Sequence, residues 1–192
     1  MYVVWLGFYS WSQGLVWRDS GTLWSYVIRQ YPFTVDAYIN RGNFYLERGN
    51  PSRALPDFDR AVMLEPSHGL AYFNRGGFAL QGNFPMALND LTAAIRLGMR
   101  AEKDLILAYQ NRGVVFARLG FFEEAIGDCT TALEHDARNI ELLFNRALSF
   151  YKIGNRDQAL DDVNMVLGLM PDYGLAAQMK ALIMREAQGD GL

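Results

Sequence analysis

The sequence has few of the residues on which catalytic, redox and metal sites are built. Among 192 residues there is one cysteine, Cys129, which excludes an internal disulfide and a cluster of thiolate metal ligands. The two histidines, His68 and His135, are far apart in sequence, so we expect neither a histidine metal site nor a catalytic triad. Phosphate-binding loops and Gly-x-Ser-x-Gly motifs are missing as well. The sequence therefore predicts a protein that is not an enzyme and that uses no cofactor and no metal.

Positive charge is also scarce. The chain has 18 Lys and Arg residues and 21 Asp and Glu residues, so its formal net charge is −3 at pH 7. Because a protein that binds a nucleic-acid duplex needs a concentrated basic face, we expect no nucleic-acid partner. Apolar residues make up 51% of the chain, enough to build a folded core.

Charge is absent altogether from residues 1–17, which read MYVVWLGFYSWSQGLVW. As a helix this segment would be about 26 Å long, slightly short of a bilayer core. Its six aromatic side chains are typical of a membrane interface, yet it lacks the basic start and the cleavage site of a signal peptide. Two interpretations stay open for residues 1–18: a segment that contacts a membrane, or a helix that caps the first repeat.

A repeated tripeptide organises the rest of the chain. Asn-Arg-Gly occurs at 40–42, 74–76 and 111–113, and Asn-Arg-Ala follows at 145–147. The arginines are 34, 37 and 34 residues apart, and the surplus of the middle interval falls at Gly98–Leu105, where it lengthens a connection or extends a helix. Around each tripeptide, apolar residues recur at spacings of three and four, and a glycine interrupts them. Each unit is therefore predicted to be a helical hairpin.

This pattern resembles the tetratricopeptide repeat, a helix-turn-helix unit with an aromatic, a small residue, a second aromatic, then Ala, Phe, Ala and Pro. The first unit shows that order as Tyr38, Gly42, Tyr45, Ala54, Phe58, Ala61 and Pro66. The resemblance covers roughly residues 35–173 and implies an all-α fold, a right-handed superhelical α-solenoid. One departure recurs, because the Leu that usually precedes the small residue is Arg in every unit.

Seven segments follow from the repeat pattern. They are the N-terminal segment at 1–18, an orphan second helix of a half repeat at 19–34, four repeats at 35–68, 69–105, 106–139 and 140–173, and a C-terminal capping helix at 174–192. The capping helix carries Ala177, Ala181 and Met184 at the spacing of another first helix. Such caps are expected because each hairpin buries its apolar face only against a neighbour.

Each recurring arginine is followed by an acid about half a repeat later. An Arg among core positions needs a partner, because an unpaired buried charge is costly. We therefore expect structural ion pairs, within a unit or across to the next one, among Arg41, Arg75, Arg112, Arg146, Asp57, Asp90, Asp128 and Asp162.

The recurring asparagine indicates a binding surface. Asn has a poor helix propensity, and the sequence shows no local reason for placing it inside four helices. In similar tetratricopeptide superhelices this Asn faces the concave surface and bonds the backbone of an extended peptide; the alternative is a bond to the neighbouring helix. The same helical face predicts a groove lined by Asn40, Asn74, Asn111, Asn145, Ile39, Asn43, Phe73, Gln110, Val114, Arg118, Phe144, Leu148, Tyr151 and Lys152.

Three functions are compatible with these features. The first is a protein-interaction adaptor whose groove holds an extended peptide. The second is a membrane-associated subunit, because the passage at residues 17–32 resembles the junction in membrane proteins that carry tetratricopeptide tails. The third is a scaffold that self-associates. A cytoplasmic or membrane-associated location is expected. Binding of chaperone tails is disfavoured, because the positions that would need Lys or Arg hold Ile39, Leu70, Phe73 and Leu107.

Overall fold

The computed structural model describes residues 19–187. Within that range the chain forms ten α-helices and no β-strand, as the all-α prediction requires. The helices are α1 (Ser20–Gln30), α2 (Val35–Glu47), α3 (Pro51–Leu64), α4 (Gly69–Ala79), α5 (Phe84–Leu97), α6 (Glu102–Leu119), α7 (Phe122–His135), α8 (Ile140–Lys152), α9 (Arg156–Leu169) and α10 (Gly174–Ala187).

Eight of these helices pair into four hairpins, which we number as units. Unit 1 is α2 with α3, unit 2 is α4 with α5, unit 3 is α6 with α7, and unit 4 is α8 with α9. Turn chemistry fixes the hairpins: Gly120 ends α6 in the left-handed conformation, at φ +85°. Asn83 and Asn155 begin the second helices of units 2 and 4, where their side chains accept hydrogen bonds from the N–H groups of Met86 and Gln158.

A small residue on the first helix of each unit faces a larger one on the second. A Cβ atom placed on Gly42 would lie 2.5 Å from the ring of Phe58, and one placed on Gly76 would lie 3.0 Å from Leu91. Phe58 and Leu91 are both fully buried. The missing side chain therefore lets the two helices of a hairpin approach closely and bury a large apolar residue between them.

Consecutive units stack on each other, and the first helices of neighbouring units lie closer together than the second helices do. Each second helix packs on the first helix of the next unit, and the first helices α2, α4, α6 and α8 also contact one another in sequence. Because the first helices are closer together than the second ones, the stack curves with the first helices on its inner side. The concave surface is therefore lined by the first helices, which carry the recurring asparagines.

The surplus residues between units 2 and 3 are divided between a loop and a helix. Helix α5 ends at Leu97, and α6 begins only at Glu102. Helix α6 then runs for 18 residues, whereas α2 and α8 each have 13. The extra residues at Gly98–Leu105 therefore do both things that the sequence allows: they lengthen the connection and they extend the helix.

Two further helices continue the array at its ends. Helix α1 packs on α2, and its N-terminus is capped by Asp19, whose carboxylate accepts a 2.7 Å bond from the N–H of Thr22. The predicted segment 1–18 lies outside the described residues. None of the helices within 19–187 is both long enough and apolar enough to cross a membrane.

Helix α10 buries one face and exposes the other. It packs on α9 through Ala176, Met179 and Ile183, which are at most 7% exposed. The positions that the repeat spacing picks out, Ala177 and Ala181 among them, are exposed. In a complete unit the corresponding residues of the first helix contact the second helix of the same hairpin. Within the described range no helix follows α10, so these residues have no such partner and stay exposed.

Substitution of two helical glycines by alanine tests the packing within a unit. We expect Gly42→Ala to lower the free energy of unfolding by about 1–3 kcal/mol, because the added methyl overlaps the buried ring of Phe58. Gly77, in the first helix of unit 2, has open space where its Cβ would lie. Gly77→Ala is therefore expected to raise the same free energy by about 0.5–1 kcal/mol through helix propensity alone.

Urea unfolding followed by far-UV circular dichroism measures both effects. Similar changes in the two variants would contradict this account of the close approach in unit 1.

Candidate peptide-binding groove

Each recurring arginine makes a two-pronged ion pair with the acid of its own unit. In unit 1, Nε and Nη2 of Arg41 donate to the two carboxylate oxygens of Asp57 at 2.8 and 2.6 Å. The same geometry recurs in units 2 to 4 with distances of 2.7–2.9 Å, in Arg75–Asp90, Arg112–Asp128 and Arg146–Asp162. The four carboxylates are 3–6% exposed. The structure therefore places the four predicted pairs within units, and Arg75 makes an additional ion pair with Asp59 of the preceding unit.

The third nitrogen of each guanidinium group reaches back to the preceding second helix. Nη1 of Arg41 donates to the hydroxyl of Ser25 at 3.3 Å, and Nη1 of Arg75 donates to the carboxylate of Asp59 at 2.9 Å. In units 3 and 4 the acceptors are the hydroxyls of Thr92 and Thr130. Each arginine thus links three helices: Arg75, Arg112 and Arg146 link two neighbouring units, and Arg41 links unit 1 to α1.

Aromatic rings complete the surroundings of these arginines. The guanidinium carbon of Arg75 lies 5.7 Å from the ring centroid of Tyr72, and that of Arg112 lies 5.6 Å from both Tyr109 and Phe116. Hydrogen bonds to the carboxylates raise the pKa of the four guanidinium groups above the usual value, so the arginines stay charged. This environment explains why Arg can stand where similar repeats have Leu.

The asparagine that precedes each arginine behaves differently in the two halves of the array. The side-chain amides of Asn40 and Asn74 donate to the carbonyl oxygens of Asp36 and Leu70, four residues earlier, at 2.8 Å. These bonds supply the local reason for a helical asparagine that the sequence did not reveal. The amides of Asn111 and Asn145 make no hydrogen bond within residues 19–187, and both side chains are half-buried. At this recurring position, only units 3 and 4 therefore present a carboxamide that is free within the described residues.

A pocket of about 400 Å³ opens between units 3 and 4 on the same side. Five of the predicted groove residues line it: Val114, Arg118, Asn145, Leu148 and Lys152. The sequence reasoning missed Gly113, Ala117, Phe122, Cys129 and Ser149, which complete the lining. Ala117 stands three residues after Val114, so helical spacing could have found it, whereas Phe122 belongs to the second helix.

The floor of this pocket is apolar and its rim is cationic. Burial raises the pKa of the Cys129 thiol to about 12, so the thiol is neutral. The hydroxyl of Ser149 is occupied, because it donates to the carbonyl of Asn145 at 2.9 Å. Arg118 and Lys152 are exposed, and within the described part of the chain no carboxylate lies within 4.0 Å of either charge.

Several other predicted groove residues are placed elsewhere or already have partners. Ile39 is 3% exposed and packs in the core with Ala61 and Ala71, so its prediction as a groove residue is wrong. The side chain of Ile39 therefore packs into the interface with the next unit and not onto the open face.

Aromatic groove residues are held by protein neighbours. The rings of Phe144 and Tyr173 meet edge to face at 5.3 Å, and Phe73 packs against the core of units 2 and 3. The hydroxyl of Tyr151 donates to Glu186 of α10 at 2.6 Å, and Arg156 contacts the same carboxylate. Two polar positions, Asn43 and Gln110, are half-buried and make no side-chain hydrogen bond within 19–187. The accessible part of the predicted groove is therefore narrower than the sequence indicated.

Comparison with known proteins identifies the repeat. A family model described as the tetratricopeptide repeat matches residues 35–68, which begin with α2 and include all of α3. Human Tetratricopeptide repeat protein 6 is 29% identical over 163 residues, which cover 83% of this chain and 30% of that protein. Residues 35–68 are therefore a tetratricopeptide repeat, and the chain is similar to proteins of this family over most of its length. Proteins of this family are generally interaction scaffolds and not catalysts, and the chain spans less than a third of the human relative's length.

Solved structures of tetratricopeptide repeat proteins share the fold. The Pseudomonas aeruginosa pilF protein has a TM-score of 0.76 at 14% identity, covering 96% of this chain and 82% of its own. The first tetratricopeptide domain of Spaghetti (RPAP3), bound to the HSP90 peptide SRMEEVD, has a TM-score of 0.56 at 21% identity, covering 62% of this chain and 95% of its own. The architecture of stacked helical hairpins is thus that of an α-solenoid.

Removal of one arginine tests how strongly the ion pairs support the array. We expect Arg112→Leu to lower the free energy of unfolding by about 3–5 kcal/mol, because it leaves the buried carboxylate of Asp128 without its partner. The double variant Arg112→Leu, Asp128→Leu is expected to recover most of that loss.

Chemical denaturation of both variants is the measurement, with Arg118→Leu as the control. Arg118 stands on the same helix without an ion pair, so its substitution should change stability by less than about 0.5 kcal/mol. A single variant as stable as the double variant would show that the pair does not support the array.

Proposed function

We propose that this chain is a non-catalytic binding module whose concave groove holds an extended segment of a partner protein over units 3 and 4. The observation that carries the proposal is the pairing of two free carboxamides, on Asn111 and Asn145, with an open pocket between the same two units. Polar groups on a preformed concave surface, beside apolar side chains, are the usual features of a peptide-binding groove.

The carboxamides suit a partner in extended conformation. Each offers a donor and an acceptor, so it can bond the N–H and C=O groups of a peptide whatever the side chains of that peptide are. Side chains of the peptide would then reach the pocket walls at Val114 and Leu148. Affinity would come from the backbone bonds and selectivity from the pocket.

Rigidity of the scaffold supports the same function. The bidentate pairs of Arg112 and Arg146 fix the helices on which the two asparagines stand. A groove that is formed before binding loses little conformational entropy when the partner arrives. The solved domain of RPAP3 with its HSP90 peptide illustrates that this fold accommodates a short peptide.

The matched asparagine pairs of the two halves give a direct test. Peptides selected from a random 12-residue library displayed on phage serve as the probe, and fluorescence anisotropy measures their affinity. We expect Asn111→Ala, Asn145→Ala to weaken binding by about 10-fold or more, because each substitution removes hydrogen bonds to the peptide backbone.

The control is Asn40→Ala, Asn74→Ala, which changes the same residue type where the amide already bonds its own helix. We expect this variant to bind the peptides within about 3-fold of the unmodified chain, since it removes bonds only within α2 and α4. Circular dichroism verifies that both variants keep their helix content. Equal affinities for all three proteins, or selection of no peptide by the unmodified chain, would refute the groove.

A second function, attachment to a membrane, is favoured by one sequence feature. Residues 1–17 contain no charged side chain and six aromatic ones. If this segment is an anchor, the full chain should float with phosphatidylcholine vesicles in a density gradient, and a chain lacking residues 1–17 should not. Equal flotation of the two proteins, or of neither, would reject the anchor and leave the groove proposal unchanged.

A further inference from the structure

The pocket between units 3 and 4 combines two chemistries that together restrict its occupant. Its walls include Val114, Ala117 and Phe122, which are half-buried, and Leu148, which is 40% exposed. Covering this apolar surface favours an aliphatic or aromatic side chain. The volume of about 400 Å³ leaves room for one such side chain together with its neighbours in the peptide.

Charge at the mouth of the pocket is positive and uncompensated. Arg118 stands on α6 and Lys152 on α8, so the two cations line the pocket from adjacent first helices. The other arginines of these helices, Arg112 and Arg146, already form ion pairs with buried carboxylates. Unpaired cations beside an apolar surface attract carboxylates and repel the basic side chains of a ligand.

One exposed position of the repeat is cationic only in units 3 and 4. The residue six positions after the recurring arginine is Glu47 in unit 1, Gln81 in unit 2, Arg118 in unit 3 and Lys152 in unit 4. All four are exposed, so the charge at this repeat position changes from acidic through neutral to basic along the array. On a chain with a net charge of −3, this places a local basic site over units 3 and 4.

We propose that the groove selects an acidic segment, in which an aliphatic or aromatic residue enters the pocket and flanking Asp or Glu residues pair with Arg118 and Lys152. This inference rests on the proposed function and names the chemistry of its partner. The segment is an internal stretch of a polypeptide, because the cations meet side-chain carboxylates and no free chain end is needed. Leu70 and Leu107, one turn before the asparagines of units 2 and 3, supply no cation for a terminal carboxylate.

Synthetic peptides with both ends blocked test the selection. The probe has one Leu between two pairs of Glu, and its matched forms replace Glu by Gln, or Leu by Ala. We expect the unmodified chain to bind the Glu form about 10-fold more tightly than the Gln form at low salt, and less so at high salt. The Ala form should bind more weakly than the Leu form, because the pocket then stays unfilled.

Variants that replace the two cations by neutral Gln test whether the preference for Glu peptides comes from the pocket. In Arg118→Gln, Lys152→Gln the preference for Glu over Gln is expected to disappear. The control, Lys103→Gln, Arg138→Gln, removes one Lys and one Arg that are exposed, that lie outside the pocket and that make no ion pair within 19–187. This control should keep the preference, which separates a local effect from a change in net charge.

The outcomes distinguish this inference from the proposed function. Loss of the preference in the pocket variant alone supports the acidic segment. If library peptides depend on Asn111 and Asn145 but show no excess of Asp and Glu, or if the pocket variant keeps the preference, the acidic segment is refuted while the groove remains. If no peptide depends on those asparagines, both proposals fail.

Discussion

The bidentate pair between an arginine of the first helix and an aspartate of the second is the interaction on which the array depends. It occurs in every unit at 2.6–2.9 Å, with the carboxylate buried, and the third guanidinium nitrogen bonds a residue of the helix that precedes the unit. An apolar residue at that position could fill space but could not fix the rotation of three helices against one another. Directional bonds to a planar guanidinium group define that rotation. The cost of desolvating the charges is offset because each of the three guanidinium nitrogens donates a hydrogen bond.

The two halves of the concave face differ at the recurring asparagine. In units 1 and 2 the recurring asparagine bonds its own helix, and in units 3 and 4 its amide is free within the described residues. The free amides lie on the first helices of units 3 and 4, which also carry Arg118 and Lys152 at the mouth of the pocket between these units. Polar, apolar and cationic groups thus converge at one end of the groove. That convergence makes units 3 and 4 a more selective surface than units 1 and 2.

Much of this organisation could be predicted from the sequence because the same residue types recur in the same order in all four units. The spacing of Arg41, Arg75, Arg112 and Arg146 sets the phase of the helices, and the acid that follows each of them marks its partner. The acceptors on the preceding unit, such as Thr92, could not be predicted, since they depend on the rotation between units. The same rotation buries Ile39, which a single-helix projection places on the open face. Phe122 was missed because its reach into the pocket depends on the turn at Gly120.

The central claim is that an extended segment binds the concave face over units 3 and 4. The most direct measurement is a methyl-labelled NMR titration of the chain with a peptide selected from the library. The account predicts that the methyl signals of Val114 and Leu148 shift in a saturable way. The methyl groups of Met63 and Met165, exposed on the second helices, should stay unchanged. Shifts at Met63 and Met165 without shifts at Val114 and Leu148 would place binding on the outer face and contradict the account.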